Sequence, residues 1–384
     1  MGNACLYFSA AVLALFVLFK AAAGLARRGT DGIDAAFTVF FFCLLFLPMM
    51  KIDGADRSER ENRMLAAFPA FVGADGLNTK FGERFDAWFS DRFFGRGFLL
   101  KFHAGSVKRK ESSKAFAGKD GWLFYKADGS IANFQNRKHF TDKEFARATA
   151  YLSDFNAWCA ENGIPFLYMI APDKNKIYGE FFPDTVKKLY GDDQSRANRL
   201  IAALREKGVP VVYFYDDLKA HKKDTLLYYK NDTHWTPYGA YIAYRKTMKT
   251  LGLPALPEPA FKTVKNASGD LTGMLPSAGT DAVSEYKVPV FPTPVCEKRE
   301  TPVGHTVCRN KKGRKNVVVL HDSFTEALIP MFAGTFKTAA FLPRHDVRPE
   351  DLKYIRENAD LVIFEQVERN IERLPRFAFP KGVN

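Results

Sequence analysis

The chain predicts an α/β fold in which a parallel sheet is covered by helices on both faces. Five short apolar runs, Phe166–Ala171, Val209–Phe214, Asn316–Leu320, Thr338–Leu342 and Leu361–Phe364, read as strands. They are nearly continuous rather than alternating, as strands buried on both faces are. Stretches of helical periodicity fall between them, and this alternation of strand and helix argues a parallel sheet.

The first fifty residues follow another logic. Ala4–Phe19 and Ala35–Met50 are apolar runs close to bilayer-spanning length, the second extendable to Ile33 and Ile52. Arg27 and Arg28 lie between them, so the positive-inside rule places that link in the cytoplasm and residues from about 53 onwards outside it. Residues 1–52 are therefore expected to hold the membrane segment or segments. Residues 53–110 read as a charged juxtamembrane linker followed by a helical region, in which Phe81, Phe85, Trp88 and Phe89 form the stripe of an amphipathic helix over Phe81–Leu100.

Residues 111–384 read as one domain. Gly118–Tyr125 is a turn feeding a short aromatic strand. Thr141 and Glu144 form a capping box, followed by a helix whose apolar face is Phe145, Ala148, Leu152, Phe155 and Cys159 and which Gly163 stops. A helix over Ser195–Lys207 ends at Gly208, and Thr236–Pro237 reads as N-cap and first position of a helix running to Leu251. Leu253 to about Lys311 is Pro- and Gly-rich with weak periodicity, an insertion or β-rich excursion. Helices at Thr325–Phe332 and Pro349–Asn358 complete the alternation.

The net charge of +13 implies an acidic partner, an anionic polymer or a lipid surface. No zinc spacing, basic helix or aromatic-basic signature supports nucleic acid. Of the five cysteines, Cys296 and Cys308 flank a polar loop and could pair in an oxidising compartment, Cys159 reads as a buried thiol, and Cys5 and Cys43 fall in the apolar runs. None has metal-site spacing, and neither metal nor cofactor is expected.

The chemistry centres on Tyr228-Tyr229-Lys230-Asn231-Asp232-Thr233-His234-Trp235-Thr236-Pro237. In an extended backbone Asp232 and His234 would share a face while Thr233 points away, just before a helix. An oriented Asp–His pair is two-thirds of a nucleophilic triad. Ser323 follows the strand Asn316–Leu320 by three residues and opens a helix, where its N–H could join an oxyanion hole. Asp322 is expected to brace that turn. Read blandly, Ser323 is a helix N-cap, His234 a core histidine and Asp232 a turn residue. Finding all three in complementary places favours catalysis.

Asp-Thr-His-Trp-Thr-Pro-x-Gly, with the later Asp-Ser-Phe, resembles the SGNH-like polysaccharide O-acetyltransferases of the AlgJ/AlgX type and the wider DHHW group. The resemblance extends over Glu61-Asn62-Arg63, Asp120–Phe124, Pro172-Asp173-Lys174, Gly269-Asp270-Leu271 and Glu368-Arg369. It implies an SGNH-hydrolase-like, flavodoxin-like parallel sheet with Asp232, His234 and Ser323 as a triad in permuted order. His321 stands where many relatives have Gly, and no carbohydrate-binding module follows the catalytic region, which suits the AlgJ kind.

The resemblance further implies acetyl transfer through an acetyl-serine onto an exported polysaccharide, anionic and alginate-like, in the bacterial periplasm, with the chain anchored in the inner membrane. The donor would come through a membrane-bound O-acyltransferase. Lys174, Asn175, Lys230, Trp235 and Arg369 are candidates for contacting substrate, with Gln366 and Glu368 at the pocket rim; ion pairs and packing explain each equally well. An acetylesterase would use the same triad, and a non-catalytic glycan-binding scaffold would not need it.

Overall fold

The computed structural model describes residues 57–58, 63–73, 76–78, 80–92, 111–275, 282–299 and 305–380. The expected membrane segments within 1–52 lie outside the described residues, among which no helix is long and apolar enough to cross a membrane. The chain divides into two compact units, residues 1–108 and 109–384.

The described part of the first unit holds two short antiparallel pairs, Arg57–Ser58 with Arg63–Met64 and Val72–Gly73 with Gly76–Leu77. Its helix, Phe81–Arg92, occupies the first part of the expected span, and the remainder lies outside the described residues. The aromatic stripe packs as periodicity demands: Phe68 meets Trp88 edge-on at 4.8 Å and Phe85 at 6.1 Å between ring centres.

In the second unit the strands are β1 (Ala115–Ala117), β2 (Leu123–Tyr125), β3 (Phe166–Ala171), β4 (Val211–Tyr213), β5 (Phe261–Asn266), β6 (Ser284–Pro289), β7 (Val295–Arg299), β8 (His305–Arg309), β9 (Asn316–Leu320), β10 (Thr338–Leu342) and β11 (Leu361–Val367). The longest helices are α1 (Asp142–Glu161), α2 (Arg196–Glu206), α3 (Pro237–Thr250) and α4 (Pro349–Asn358). β1–β2 and β5–β6 are separate antiparallel pairs, and the other seven strands form one sheet in the order β7-β8-β10-β9-β11-β3-β4.

The five strands β10, β9, β11, β3 and β4 are mutually parallel. Alternate side chains enter two cores. Tyr168, Val318, Val362 and Phe364 meet Leu152 and Phe155 of α1, Leu200 and Leu204 of α2, and Leu352 and Ile355 of α4. Leu167, Met169, Val317, Val319 and Ile363 meet Ala240, Ala243, Tyr244 and Met248 of α3 on the opposite face. The capping box at Thr141 and the Thr236–Pro237 start of α3 are formed as the sequence predicts.

Counted from β9, the parallel strands run β9, β10, β11, β3, β4, and their spatial order becomes 2-1-3-4-5. That is the flavodoxin-like order, entered by this chain at its fourth strand. The topological switch point, where such folds bind ligands, therefore lies between β9 and β11.

Two expectations need correction. The sheet is mixed rather than parallel throughout, because the supposed excursion between 253 and 311 contributes β7 and β8, which extend it antiparallel beyond β10. A parallel neighbour needs a crossover of a dozen or more residues. β8 is joined to β9 only by the turn at 310–315, so it has to run the other way. The helix expected over Thr325–Phe332 is instead a 3₁₀ turn, Ser323–Leu328, followed by an α-helix from Ile329 to Thr335. Pro330 lacks an N–H and suits only the first positions of that helix. Cys296 and Cys308 stand opposite each other on β7 and β8 and are disulfide-bonded, while Cys159 is a buried free thiol.

Candidate active site

Asp232 and His234 do not sit on a strand end. Thr236 N–H donates to Leu227 O and Tyr229 N–H to His234 O, with a bridge between Tyr228 and Trp235. Residues 230–233 thus form the tip of a tight loop that runs straight into α3. Convergence comes from an Asx turn rather than from strand alternation: Asp232 Oδ1 accepts the His234 backbone N–H at 2.9 Å and lies 2.6 Å from His234 Nδ1. A carboxylate that caps its own loop in this way restricts both side chains at once.

The tip is held from several sides. Lys174 Nζ donates to the carbonyls of Tyr229, Lys230 and Asp232, at 2.7 Å for the last. Leu123 N–H donates to Lys230 O and Leu271 N–H to Asn231 O. Burial lowers the Lys174 ammonium to about 7 even though the charges of Asp270 and Asp232 favour its protonated form.

Ser323 reaches the site from beyond the end of β9. Asp322 is the N-cap of its turn, accepting Phe324 N–H on Oδ1 at 3.1 Å, while Oδ2 accepts Val367 N–H at 2.9 Å and Asn370 Nδ2–H at 3.0 Å. The turn is thereby bolted to the end of β11 across the switch point. Burial would raise the Asp322 carboxyl, yet the His345 charge and these N–H donors hold it below the usual range.

His234 Nε2 lies 2.7 Å from Ser323 Oγ. One imidazole therefore bridges Asp232 and a serine 89 residues beyond His234 in the sequence. Trp235 fixes that span: its indole N–H donates to Phe324 O at 2.8 Å, tying the loop to the residue after the serine. The side chains of Asp232 and His234 are 19% and 18% exposed, enough for a substrate to approach. Burial opposes charge on both. The hydrogen bond and charge each lends the other outweigh it, holding the Asp232 carboxyl well below its ordinary value and raising the imidazole above its own.

The five residues read as substrate contacts are placed differently from one another. Lys174 is buried, its ammonium directed at the three carbonyls. Asn175 is buried and donates to Tyr125 O. Trp235 is 1% exposed and packs on Phe324 and Phe214, so no sugar ring reaches its face. Lys230 is half-buried and donates to Asp120 O. Arg369 pairs with Asp173 at 2.7 Å, and its guanidinium lies over the Phe324 ring at 5.4 Å, which puts it beside the serine turn. Gln366 and Glu368 are fully buried rather than at a rim, bonded to Tyr168 and Tyr213 respectively.

One residue the sequence reading assigned no role joins the site. Asp270, from the supposed excursion, donates its backbone N–H to Asp232 Oδ2 at 3.0 Å and lies 3.9 Å from His234 Nδ1. Its own Oδ1 and Oδ2 accept the N–H and hydroxyl of Thr233 at 2.8 and 2.5 Å. The signal for it was the Gly269-Asp270-Leu271 tripeptide, which periodicity could not connect to the loop. Asp232, His234 and Asp270 each offer a ligand atom within 4.8 Å of the others, a spacing a metal ion could use. Yet Nδ1 is engaged by Asp232, and the remaining carboxylate oxygens accept N–H or O–H donors. The donor set thus fits a hydrogen-bonded row better than a metal centre.

Residues 115–320 match the family described as SGNH hydrolase-like domain, acetyltransferase AlgX. That stretch is about half of the chain and ends three residues before Ser323. The protein named probable alginate O-acetylase AlgJ, from Azotobacter vinelandii, is 27% identical over 187 residues, covering 44% of this chain and 47% of that protein. The chain thus spans about half the length of this curated relative. Among solved structures, Bacillus cereus PatB1 with a sulfonyl adduct superposes with a TM-score of 0.50 at 17% identity, covering 71% of this chain and 100% of that one. A DHHW family protein from Eubacterium siraeum gives 0.49 at 17% identity, over 70% and 100%.

Proposed function

Because the chain belongs to the SGNH hydrolase-like, AlgX-type acetyltransferase family, we propose that it is an O-acetyltransferase using Ser323 as nucleophile, His234 as base and Asp232 as its orienting acid. The observation that carries this reading is the continuous row from Asp232 Oδ1 through His234 to Ser323 Oγ, with links of 2.6 and 2.7 Å. In the first step Nε2 takes the serine proton as Oγ attacks the acetyl carbonyl carbon. The tetrahedral intermediate expels the donor's alcohol oxygen, which leaves with that proton, and an acetyl-serine remains. In the second step Nε2 takes the proton of an acceptor hydroxyl, whose oxygen attacks the acetyl carbon, and Ser323 leaves reprotonated. Asp232 keeps Nδ1 protonated and faces the imidazolium formed in both steps. The Ser323 N–H, at the start of its 3₁₀ turn, is the proposed oxyanion donor.

The acceptor is an exported polysaccharide, anionic and alginate-like. The net charge of +13 supports an anionic polymer, and Arg369 is the cation beside the serine turn suited to it. Lys174, Asn175 and Trp235 act on the scaffold instead. The apolar runs before residue 52 support an inner-membrane anchor with the catalytic unit in the periplasm, where a membrane-bound O-acyltransferase would supply the acetyl group. The test uses purified protein, a chromogenic acetyl ester and an acceptor oligosaccharide, with intact-protein mass spectrometry of wild type and Ser323→Ala. An adduct on Ser323 that discharges onto sugar supports transfer. Discharge to water alone makes the enzyme an esterase, and neither adduct nor turnover makes it a binding scaffold.

A further inference from the structure

We propose that Asp270 is a positioning residue of this site, a second carboxylate that locks the Asp232–His234 loop and stabilises the imidazolium formed when His234 accepts the serine proton. This rests on the reading of His234 as base. Three independent contacts define the role. The Asp270 backbone N–H holds the outer oxygen of Asp232. Its side chain holds Thr233, the residue between acid and base, by backbone and by hydroxyl. Gly269 makes the approach possible, since a Cβ there would fall 2.3 Å from Asn231 O and 2.8 Å from Asp232 Cβ.

Both Asp270 oxygens accept donors, as an ionised carboxylate does; burial and the Asp232 charge push its carboxyl up, while the His234 charge and the two Thr233 donors act the other way. Charge attraction falls as the inverse of distance, so at 3.9 Å from Nδ1 against 2.6 Å for Asp232, Asp270 exerts about two-thirds of that pull in the same medium. Two cations among the described residues also act on this cluster. Arg369 opposes protonation of His234, while Lys174 offsets the two carboxylates from behind the loop. An imidazolium flanked by two carboxylates and one opposing guanidinium is the charge pattern expected of a general base that must be stabilised as it ionises.

The test follows the His234 ring proton by NMR titration in full-length wild type, Asp270→Asn and Thr233→Val. Asparagine keeps an acceptor for Thr233 and removes the charge, so the His234 pKa is expected to fall by about one unit. Since only neutral His234 can act as base, the acidic limb of kcat/KM for ester hydrolysis then moves to lower pH by the same amount, with a plateau about tenfold lower. Thr233→Val keeps the charge and should leave the titration in place. An unmoved His234 titration in Asp270→Asn, or an equal shift in Thr233→Val, would overturn the proposal. Should Asp270→Asn fail to fold, Asp270→Ser is the substitute, with the same expected shift. The titration needs no turnover, so loss of the transferase reading and loss of this inference are separately visible.

Discussion

Gly269→Ala tests how closely the 269–270 backbone must approach the loop carrying Asp232. The added Cβ would meet Asn231 O at 2.3 Å, Asn231 C at 2.7 Å and Asp232 Cβ at 2.8 Å. Two of these are backbone atoms and the third is the root of its side chain, so no rotamer change relieves the clash. An ordinary contact requires about 3.4 Å or more, and the loop must retreat by roughly 1 Å. Lys174, Leu123 and Leu271 all resist that movement through the carbonyls they hold. Overpacking of this kind destabilises by about 1–3 kcal/mol. A misplacement of about 1 Å in reacting groups can cost a hundredfold in rate, near 2.7 kcal/mol in the barrier. The assay is kcat/KM for acetyl-ester hydrolysis beside thermal unfolding. Gly313→Ala is the control: its Cβ would fall 2.2 Å from Lys337 N and Phe336 C, in the turn before β9, whereas Ser323 lies beyond the other end of that strand. Both variants should lose several degrees of Tm, and only Gly269→Ala should lose about a hundredfold in kcat/KM. Retention of kcat/KM within threefold by a folded Gly269→Ala would refute the reasoning.

Lys174→Met should separate activity from stability. Three carbonyls lose a donor, but the fold no longer buries an ammonium whose protonation burial already disfavours, and the two effects oppose each other. Tm is expected to change by a few degrees at most while kcat/KM falls tenfold or more; unchanged turnover would show that the other ties suffice. Reduction of Cys296–Cys308 releases a cross-link between residues 12 apart, with a chain-entropy limit of about 3 kcal/mol. Cys308 stands opposite Ala339, near the start of β10 and away from the Ser323 end of the sheet. Reduction should therefore lower Tm and leave kcat/KM within twofold, checked by differential scanning calorimetry and ester hydrolysis.

The sheet was legible wherever burial wrote a continuous apolar run: Phe166–Ala171, Asn316–Leu320 and Thr338–Leu342 have the predicted bounds. Edge strand β7 and its neighbour β8 were not: β7 keeps exposed polar positions such as Glu297, and in β8 the buried His305, Val307 and Cys308 are interrupted by Thr306 and end at exposed Arg309, so neither writes a continuous apolar run. For the site, local chemistry was readable and reach was not. The i, i+2 spacing brought Asp232 and His234 together, although through an Asx turn that no alternation rule describes. Lys174 read as a candidate substrate contact because nothing in its neighbours announces three carbonyls waiting 55 to 58 residues later. Asp270 was hidden for the same reason: it acts through a backbone approach, and glycine leaves no periodic trace.

The permuted strand order gives Trp235, which follows His234 in the motif, a structural task. In this chain His234, the proposed base, enters from the loop before α3 and Ser323, the proposed nucleophile, from the turn after β9, so no single element holds both. Their separation has to be set by contacts between the two segments, and a shift of about 1 Å would break the 2.7 Å link from Nε2 to Oγ. Trp235 supplies the rigid connection. Its ring is wholly buried against Phe324, and its N–H ends on the carbonyl of that same residue, the one that follows the serine. A large planar side chain with one donor at its tip can fill the space and still satisfy its polar atom. Phenylalanine would fill most of it but leave Phe324 O without that donor. Trp235, one of the candidates for contacting substrate, is thus better understood as the strut that sets the distance between His234 and Ser323.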